Sequence, residues 1–330
     1  MSQLSHKLLP LLQLTRMALV FTAIADAACS FLLLHRFHLD TLPWRELACV
    51  VGISVGLYGF GMSLNDIIDR RRDGTVAPHR PLPSNRMGLT TAHLVCGGLF
   101  TLAIASAAAY SQFTGIWLSL GLAIWTGLLI YFYDVAGKYL VAPGLLSLGL
   151  IRFFHCLIPA PQLPVLWHPL LLLNHVAVLS AIAYHLEEKR PALTRAHWWT
   201  ALGGLAVLNV AVIALVATRR AERFGSWMGA LNLTPGLLIP AGAVVAFGLL
   251  AVWTVRRCAT GREAGQQLML YGLLWLIVYD AAFTGAYVSW QAAIAIALLL
   301  PVAYLSVQLM RWWSAVVAIS QRPAYKRAES

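Results

Sequence analysis

The chain has 330 residues, of which 59% are Ala, Val, Ile, Leu, Met, Phe, Trp, Tyr or Cys and only 11% are charged. Globular proteins run near ~45–50% apolar with Gly counted, and about 25% charged, so this composition excludes a water-soluble surface and leaves a polytopic membrane protein. The net charge of +11 comes from 24 Lys and Arg against 13 Asp and Glu. In a membrane protein such an excess belongs to cytoplasmic loops rather than to a nucleic-acid partner. The five cysteines, Cys29, Cys49, Cys96, Cys156 and Cys258, form no CxxC pair and indicate neither a disulfide framework nor a zinc site.

A spanning helix needs about 20 mostly apolar residues. Ten runs qualify in chain order: 8–34, 46–66, 88–110, 113–133, 141–160, 166–186, 197–218, 232–255, 267–288 and 291–312. The fold expected is therefore all-α, a polytopic membrane bundle of nine to ten transmembrane helices forming a single membrane domain over 1–330. Ala25-Asp26-Ala27 loosely resembles a signal-peptide cleavage site, but apolar residues continue to Leu34 and Arg16 lies inside the run, which favours a retained first helix. With the N-terminus inside, eighteen of the 24 basic residues fall on the cytoplasmic side and five outside, while Arg152 lies within a span. That asymmetry favours an even number of spans with both termini cytoplasmic.

The longest polar interruption, 66–87, opens with Asn65-Asp66-Ile67-Ile68-Asp69-Arg70-Arg71-Arg72-Asp73. On a helix, Asp66, Asp69 and Asp73 fall within about a 60° arc, with Asn65 flanking it. Three carboxylates aimed at one spot repel unless a cation lies between them, and hard oxygen ligands suit Mg²⁺ bridging carboxylates to substrate phosphates. Arg70, Arg71, Arg72 and Arg80 provide positive charge for a diphosphate. A solvated helix end with i, i+3 and i, i+4 pairs also accounts for the arginines, though not for the shared face of the three aspartates.

The pattern N-D-x-x-D-x-x-x-D followed by Arg80-Pro81-Leu82-Pro83 resembles the first signature of the UbiA superfamily of intramembrane prenyltransferases. The resemblance covers about 1–288, a core of nine helices, and leaves 289–330 as an added helix with a basic tail. It implies a cavity open to the cytoplasm and to lipid, with Mg²⁺ on Asn65, Asp66, Asp69 and Asp73. It also implies transfer of a prenyl group from a prenyl diphosphate to a lipophilic acceptor inside the bilayer. A second stretch, Tyr133-Asp134 with Lys138, Gly144, Gly149 and Arg152, is similar to the segment after the family's fourth helix, where a Tyr and a Lys serve the diphosphate. In one subgroup that segment reads Gly-Pro where this chain has Pro143-Gly144, and Asn where it has His155. The diphosphate-binding set implied is Arg72, Arg80, Tyr133, Lys138, Lys189 and Arg152.

The family's second Asp-rich loop is altered. Its place reads Tyr184-His185-Leu186-Glu187-Glu188-Lys189-Arg190-Pro191, without aspartate. Glu187 and Glu188 are candidate ligands for a second metal, and Lys189 could neutralise a diphosphate in that ion's stead. The same residues also suit a helix end before Pro191, its charges marking the membrane surface. Asp26 and Asp280 lie inside apolar runs and either face the cavity or pair with Arg16 or a backbone donor. His93, His168 and His175 lack ligand spacing and are read as structural, and Trp198-Trp199 and Trp312-Trp313 as interfacial belts. Three other functions fit the same residues: a phosphoribosyl-type transfer on this fold, a transporter coupled to cations, and a non-catalytic isoprenoid binder.

Overall fold

A computed structural model describes residues 3–35, 41–224 and 227–320 of the chain. Of 3–8, 221–224, 227–228 and 317–320 only the backbone is described, and Arg36, Arg322, Lys326 and Arg327, which entered the charge count, lie outside the described residues. The elements are α1 (Gln3–Leu14), α2 (Val20–His35), α3 (Trp44–Ile68), α4 (Arg70–Val76), α5 (Leu89–Thr114), α6 (Leu118–Val135) and α7 (Ala142–Leu157). They continue with α8 (Trp167–Leu186), α9 (Arg195–Phe224), α10 (Trp227–Ala230), α11 (Leu238–Arg257), α12 (Gly261–Tyr287), α13 (Trp290–Ala297) and α14 (Leu299–Ser320). Among the described residues there is no strand, and nine stretches are long and apolar enough to cross a membrane; α7, at 16 residues, is a shorter apolar helix.

The packing follows from small residues and from where apolar surface is hidden. A Cβ on Gly56 would come within 2.6 Å of the Leu99 carbonyl, and one on Gly149 within 2.6 Å of the Leu173 carbonyl. Those glycines let α3 approach α5 and α7 approach α8 backbone to backbone, the usual device where lipid supplies no hydrophobic drive between helices. α2 and α8 are the interior helices, 67% and 61% buried over their apolar windows. α9 and α11 are only 11% buried and turn apolar side chains such as Val207, Val210, Val245 and Leu249 outward, toward lipid. α12 packs on α2, α8 and α11, and α14 lies against α2, α12 and the short 3₁₀ turn Met17–Leu19.

Several boundaries differ from the sequence expectation: α9 runs to Phe224 rather than 218, α11 starts at Leu238 rather than 232, and the run 291–312 is split into α13 and α14, the latter reaching Ser320. Two further differences have a clear physical reason. The run 8–34 is not one helix: it breaks after Leu14, and Arg16 takes a left-handed conformation (φ 45, ψ 39) before the 3₁₀ turn leads into α2. Such a backbone costs a non-glycine residue roughly 1–2 kcal/mol, and the contacts of Arg16 described below offset it. α12 starts at Gly261 rather than 267, because Thr260 Oγ1 accepts from the Glu263 amide at 3.2 Å and the Glu263 carboxylate accepts from the Ala259 amide at 3.3 Å. This cap, a variant of the capping box in which the Glu accepts from the residue before the N-cap, extends the helix into a polar first turn that hydropathy alone passes over.

Candidate active site

The Asp cluster lies where α3 ends. Asp69 is the joint between α3 and α4, with helical torsions (φ −78, ψ 0), so the chain stays nearly helical through all three aspartates. Their partners come from elsewhere in the bundle. Arg16 Nη2 donates to Asp66 Oδ1 at 3.0 Å. Arg80 Nη1 lies between two carboxylates, 3.4 Å from Asp66 Oδ1 and 2.5 Å from Asp73 Oδ2. Asp69 turns to the other side, where Lys138 Nζ donates to Oδ1 at 2.7 Å. Asp66 and Asp73 are buried, and Asn65 is half-buried beside them. Burial opposes the charge on Arg16, but Asp66 first and then Tyr58 and Asp73 outweigh it and hold the guanidinium pKa above its ordinary value.

Lys138 is placed by a tight corner. α6 ends at Val135, a 3₁₀ turn runs over Gly137–Tyr139, and Val141 (φ 54) reverses the chain into α7. A Cβ on Gly144 would collide with the Gly137 carbonyl, so glycine at 144 lets α7 start directly under the turn. At the end of α6, Asp134 is buried and its Oδ1 has no hydrogen-bond partner among the described residues. The charges acting on Asp134 are those of Lys138, Asp69, Arg16 and Asp66, which makes it a fourth carboxylate of the same cluster. Tyr133 is half-buried, with Asp134, Asp69 and Arg16 as its charged neighbours.

The loop after α8 faces the cluster from across the site. Arg72 is exposed and acts electrostatically on Tyr184, whose hydroxyl donates to the Pro191 carbonyl at 2.5 Å. Within this loop Lys189 Nζ lies 3.2 Å from Glu187 Oε2. Glu188 is exposed and turns the chain at φ 51. The structure thus bonds Asp66 and Asp73 to Arg80, and Asp69 separately to Lys138, with Asn65, Tyr133 and Arg72 near them, while Glu187 and Lys189 pair with each other.

Arg152 goes elsewhere. Its Nη1 donates to Asp26 Oδ2 at 2.5 Å and its Nη2 to Thr22 Oγ1 at 3.1 Å, inside the bundle. Asp26 therefore pairs with Arg152 and not with Arg16, because the backbone break at residue 16 carries that guanidinium to the end of α3. Asp280 Oδ1 accepts from His168 Nε2 at 2.7 Å, and His168 Nδ1 accepts from Ser30 at 3.3 Å. Asp26 Oδ1 and Asp280 Oδ2 are buried without partners among the described residues, and the two carboxylates act on each other electrostatically.

The residues at the end of α3 have the chemistry of a divalent-cation site, but among the described residues the one trio of acidic, His or Cys side chains whose ligand atoms already lie within 4.8 Å of one another is Cys29, His168 and Asp280, inside the bundle. The donor set at the end of α3 is hard oxygen, as Mg²⁺ requires. Arg80 already stands as a cation between Asp66 and Asp73, and the buried Asp134 Oδ1 is free to accept a further positive partner. Sequence reasoning missed Arg16 and Asp134 as members of this cluster. Each carried a signal: Arg16 interrupts an otherwise apolar run, and Asp134 adjoins Tyr133 in the second stretch.

No family model matches the chain. Over 93 residues, 27% of this chain, it is 39% identical to the digeranylgeranylglyceryl phosphate synthase of Methanococcus maripaludis (strain C7), and the match spans about a third (33%) of that curated relative's length. The structure resembles a solved digeranylgeranylglyceryl phosphate synthase with a TM-score of 0.58 at 19% identity, over 86% of this chain and 99% of that one. It resembles the apo structure of a UbiA homologue from Aeropyrum pernix K1 with a TM-score of 0.50 at 17% identity, over 81% and 97% of the two chains. Both likenesses take in nearly the whole of the solved chains, and on that ground the protein is an integral, multi-pass membrane protein built on the UbiA fold.

Proposed function

We propose that the protein is a Mg²⁺-dependent prenyltransferase that moves a prenyl group from a prenyl diphosphate to a lipophilic acceptor within the membrane. The observation that carries this reading is the cluster of Asp66, Asp69, Asp73 and Asp134 held against Arg16, Arg80 and Lys138 at one end of an apolar bundle. Digeranylgeranylglyceryl phosphate synthase, matched over 93 residues, is a protein of that chemical class and supports it.

Asn65, Asp66, Asp69 and Asp73 would hold the metal, which supplies Lewis-acid polarisation of the diphosphate oxygens. Arg80 and Lys138 then face the leaving group from two sides, with Arg72 and Tyr133 around them, and stabilise the charge that grows on it. In the reaction the bond between the allylic carbon and the diphosphate oxygen breaks, and its electron pair leaves with the diphosphate. A carbon or oxygen of the acceptor gives a pair to the allylic carbon and loses its proton to the departing diphosphate. Apolar helices around the site exclude the water that would otherwise capture the allylic centre. We assign Glu187 to balancing Lys189 rather than to a second metal, and Lys189 to the diphosphate once the donor is bound. Both termini and the site are read as cytoplasmic, from the distribution of Lys and Arg between loops.

The test is release of diphosphate from radiolabelled geranyl, farnesyl and geranylgeranyl diphosphates by purified protein in nanodiscs with a membrane lipid extract. The expected result is Mg²⁺-dependent release that Asp69→Ala abolishes. A second reading, a non-catalytic isoprenoid binder, is favoured by the pairing of Glu187 with Lys189 in place of an Asp-rich second loop. Mg²⁺-dependent binding of a donor without release by any lipid extract would select it, and absence of binding would reject both.

A further inference from the structure

Cys29 on α2, His168 on α8 and Asp280 on α12 converge in the interior, and all three are fully buried. A ligand atom of each lies within 4.8 Å of the other two, and His168 Nε2 is 2.7 Å from Asp280 Oδ1. Cys29 and His168 stand 251 and 112 positions from Asp280, so no motif spacing announces them. Four zinc bonds of about 2.0–2.3 Å in a tetrahedron set their ligand atoms about 3.3–3.6 Å apart. The trio is already on that scale.

The group holds more oxygen than its hydrogen bonds use. Asp280 Oδ2 and Asp26 Oδ1 are both buried without a hydrogen-bond partner among the described residues. Asp26 lies three residues before Cys29 on the same face of α2, and its carboxylate is within hydrogen-bonding reach of that of Asp280. Two carboxylates facing each other in an apolar interior need a proton or a cation between them. The surrounding side chains favour the cation. Ser30 Oγ stands 3.3 Å from His168 Nδ1, where it accepts from an imidazole that ligates through Nε2. Thr284 Oγ1 stands 3.4 Å from Cys29 Sγ, placed to donate to a thiolate. Bound as thiolate, Cys29 joins Asp26 and Asp280 as a third anion, and a divalent ion together with Arg152, paired to Asp26 Oδ2, neutralises all three.

The geometry points to a zinc site in the interior of the bundle, with Zn²⁺ bound by Cys29 Sγ, His168 Nε2 and Asp280 and with Asp26 Oδ1 in the fourth position. Sulfur and nitrogen donors suit Zn²⁺ and not Mg²⁺, so the site is separate from the cluster at the end of α3 and stands apart from the prenyltransferase reading. The direct contact between His168 and Asp280 opens by under about 1 Å to admit the ion, and the Cys29 proton leaves as it binds. With four protein ligands and no open position, the ion is structural. It clamps α2, α8 and α12, the three most buried of the described spans at 67%, 61% and 50%, where lipid gives helices no hydrophobic reason to associate.

The test uses the full chain, made in cells supplied with zinc, purified in an uncharged detergent without a metal-affinity tag and dialysed before its metals are counted by mass spectrometry. The expected result is about one zinc per chain in the native protein and in Cys156→Ala, whose buried thiol is outside the trio. Cys29→Ala and Asp280→Asn should each weaken zinc at least about 100-fold, more than the 10–100-fold typical of an outer contact. Chain made with Co²⁺ in place of zinc should show a thiolate-to-cobalt charge-transfer band in the near ultraviolet, absent from Cys29→Ala. Chain made without either ion should melt about 5 °C lower or more, and zinc should restore it. Full zinc occupancy in Cys29→Ala would overturn the inference and mark an adventitious ion only. So would native protein that melts cooperatively yet binds neither zinc nor cobalt, which would leave Asp26 and Asp280 sharing a proton. If Cys29→Ala does not fold, the combined variant Cys49→Ala, Cys96→Ala, Cys156→Ala and Cys258→Ala decides, since Cys29 is then the one thiol left and a cobalt complex without the thiolate band would overturn the assignment.

Discussion

At the end of α3, Asp66, Asp69 and Asp73 hold Arg16, Arg80 and Lys138, and the side chains of Arg16 and Arg80 stay 39% and 30% exposed. In the interior, Arg152 and His168 hold Asp26 and Asp280, whose carboxylates are 0% exposed. Both groups join helices distant in sequence, yet they are built for different ends. In the first, one guanidinium is shared by two carboxylates and Oδ1 of a fourth, Asp134, has no hydrogen-bond partner among the described residues, so the cations can be exchanged for others without leaving a bare charge in lipid. In the second, Arg152 bonds Asp26 and His168 bonds Asp280 while both carboxylates are fully buried, so loss of either donor leaves a buried carboxylate without it. An exchangeable cluster suits binding and chemistry. A closed one fixes α2, α7, α8 and α12 relative to one another.

Perturbation should separate the two. The largest effect is expected for Asp69→Ala, which should lower prenyl transfer by about three orders of magnitude with little change in the melting temperature; chelation of Mg²⁺ should do the same and be reversed by adding the ion back. Diphosphate release and thermal unfolding in the same detergent would check this, and a large melting shift would mean that the cluster is structural after all. Arg152→Ala should do the reverse and destabilise the bundle by about 3–5 kcal/mol, because Asp26 would remain buried and unpaired. The double variant with Asp26→Leu should recover much of that loss, and failure to recover would show that the pair is not the unit of stability. Lys138→Met should lower kcat about 10–100-fold through loss of one leaving-group contact. Glu187→Gln should change kcat by less than about threefold, the expectation for a residue that pairs with Lys189 and holds no metal. A loss of a hundredfold or more there would restore a second metal site to this loop.

Much of this could be read from the sequence. The ten apolar runs correspond to ten helical stretches, because apolar length is a local property and helices are the form that satisfies backbone groups in lipid. The Asp66–Asp73 spacing was equally local. Cross-chain pairing was not: Arg152 meets Asp26 across 126 positions and His168 meets Asp280 across 112, and no periodicity links residues so far apart. The break at Arg16 was hidden for a different reason. Leu12, Leu14, Met17 and Leu19 continue the apolar pattern through it, so hydropathy sees one span where the backbone makes two segments. α12 began early because a cap, not an apolar face, set its boundary.

The Asp134 Oδ1 that lacks a hydrogen-bond partner among the described residues has a consequence for how metal and donor bind. Asp66, Asp69 and Asp73 are already set against Arg16, Arg80 and Lys138, and Asp134 Oδ1 adds an oxygen without a hydrogen-bond partner among the described residues. A divalent cation taken up beside these carboxylates would add positive charge next to Arg80 and Lys138, and a diphosphate ester would be held more tightly for it. Metal and donor should therefore bind with positive cooperativity. By linkage, the factor by which the ion tightens the donor must equal the factor by which the donor tightens the ion. On the prenyltransferase reading, the donor alone should therefore be held less tightly than the donor with its ion.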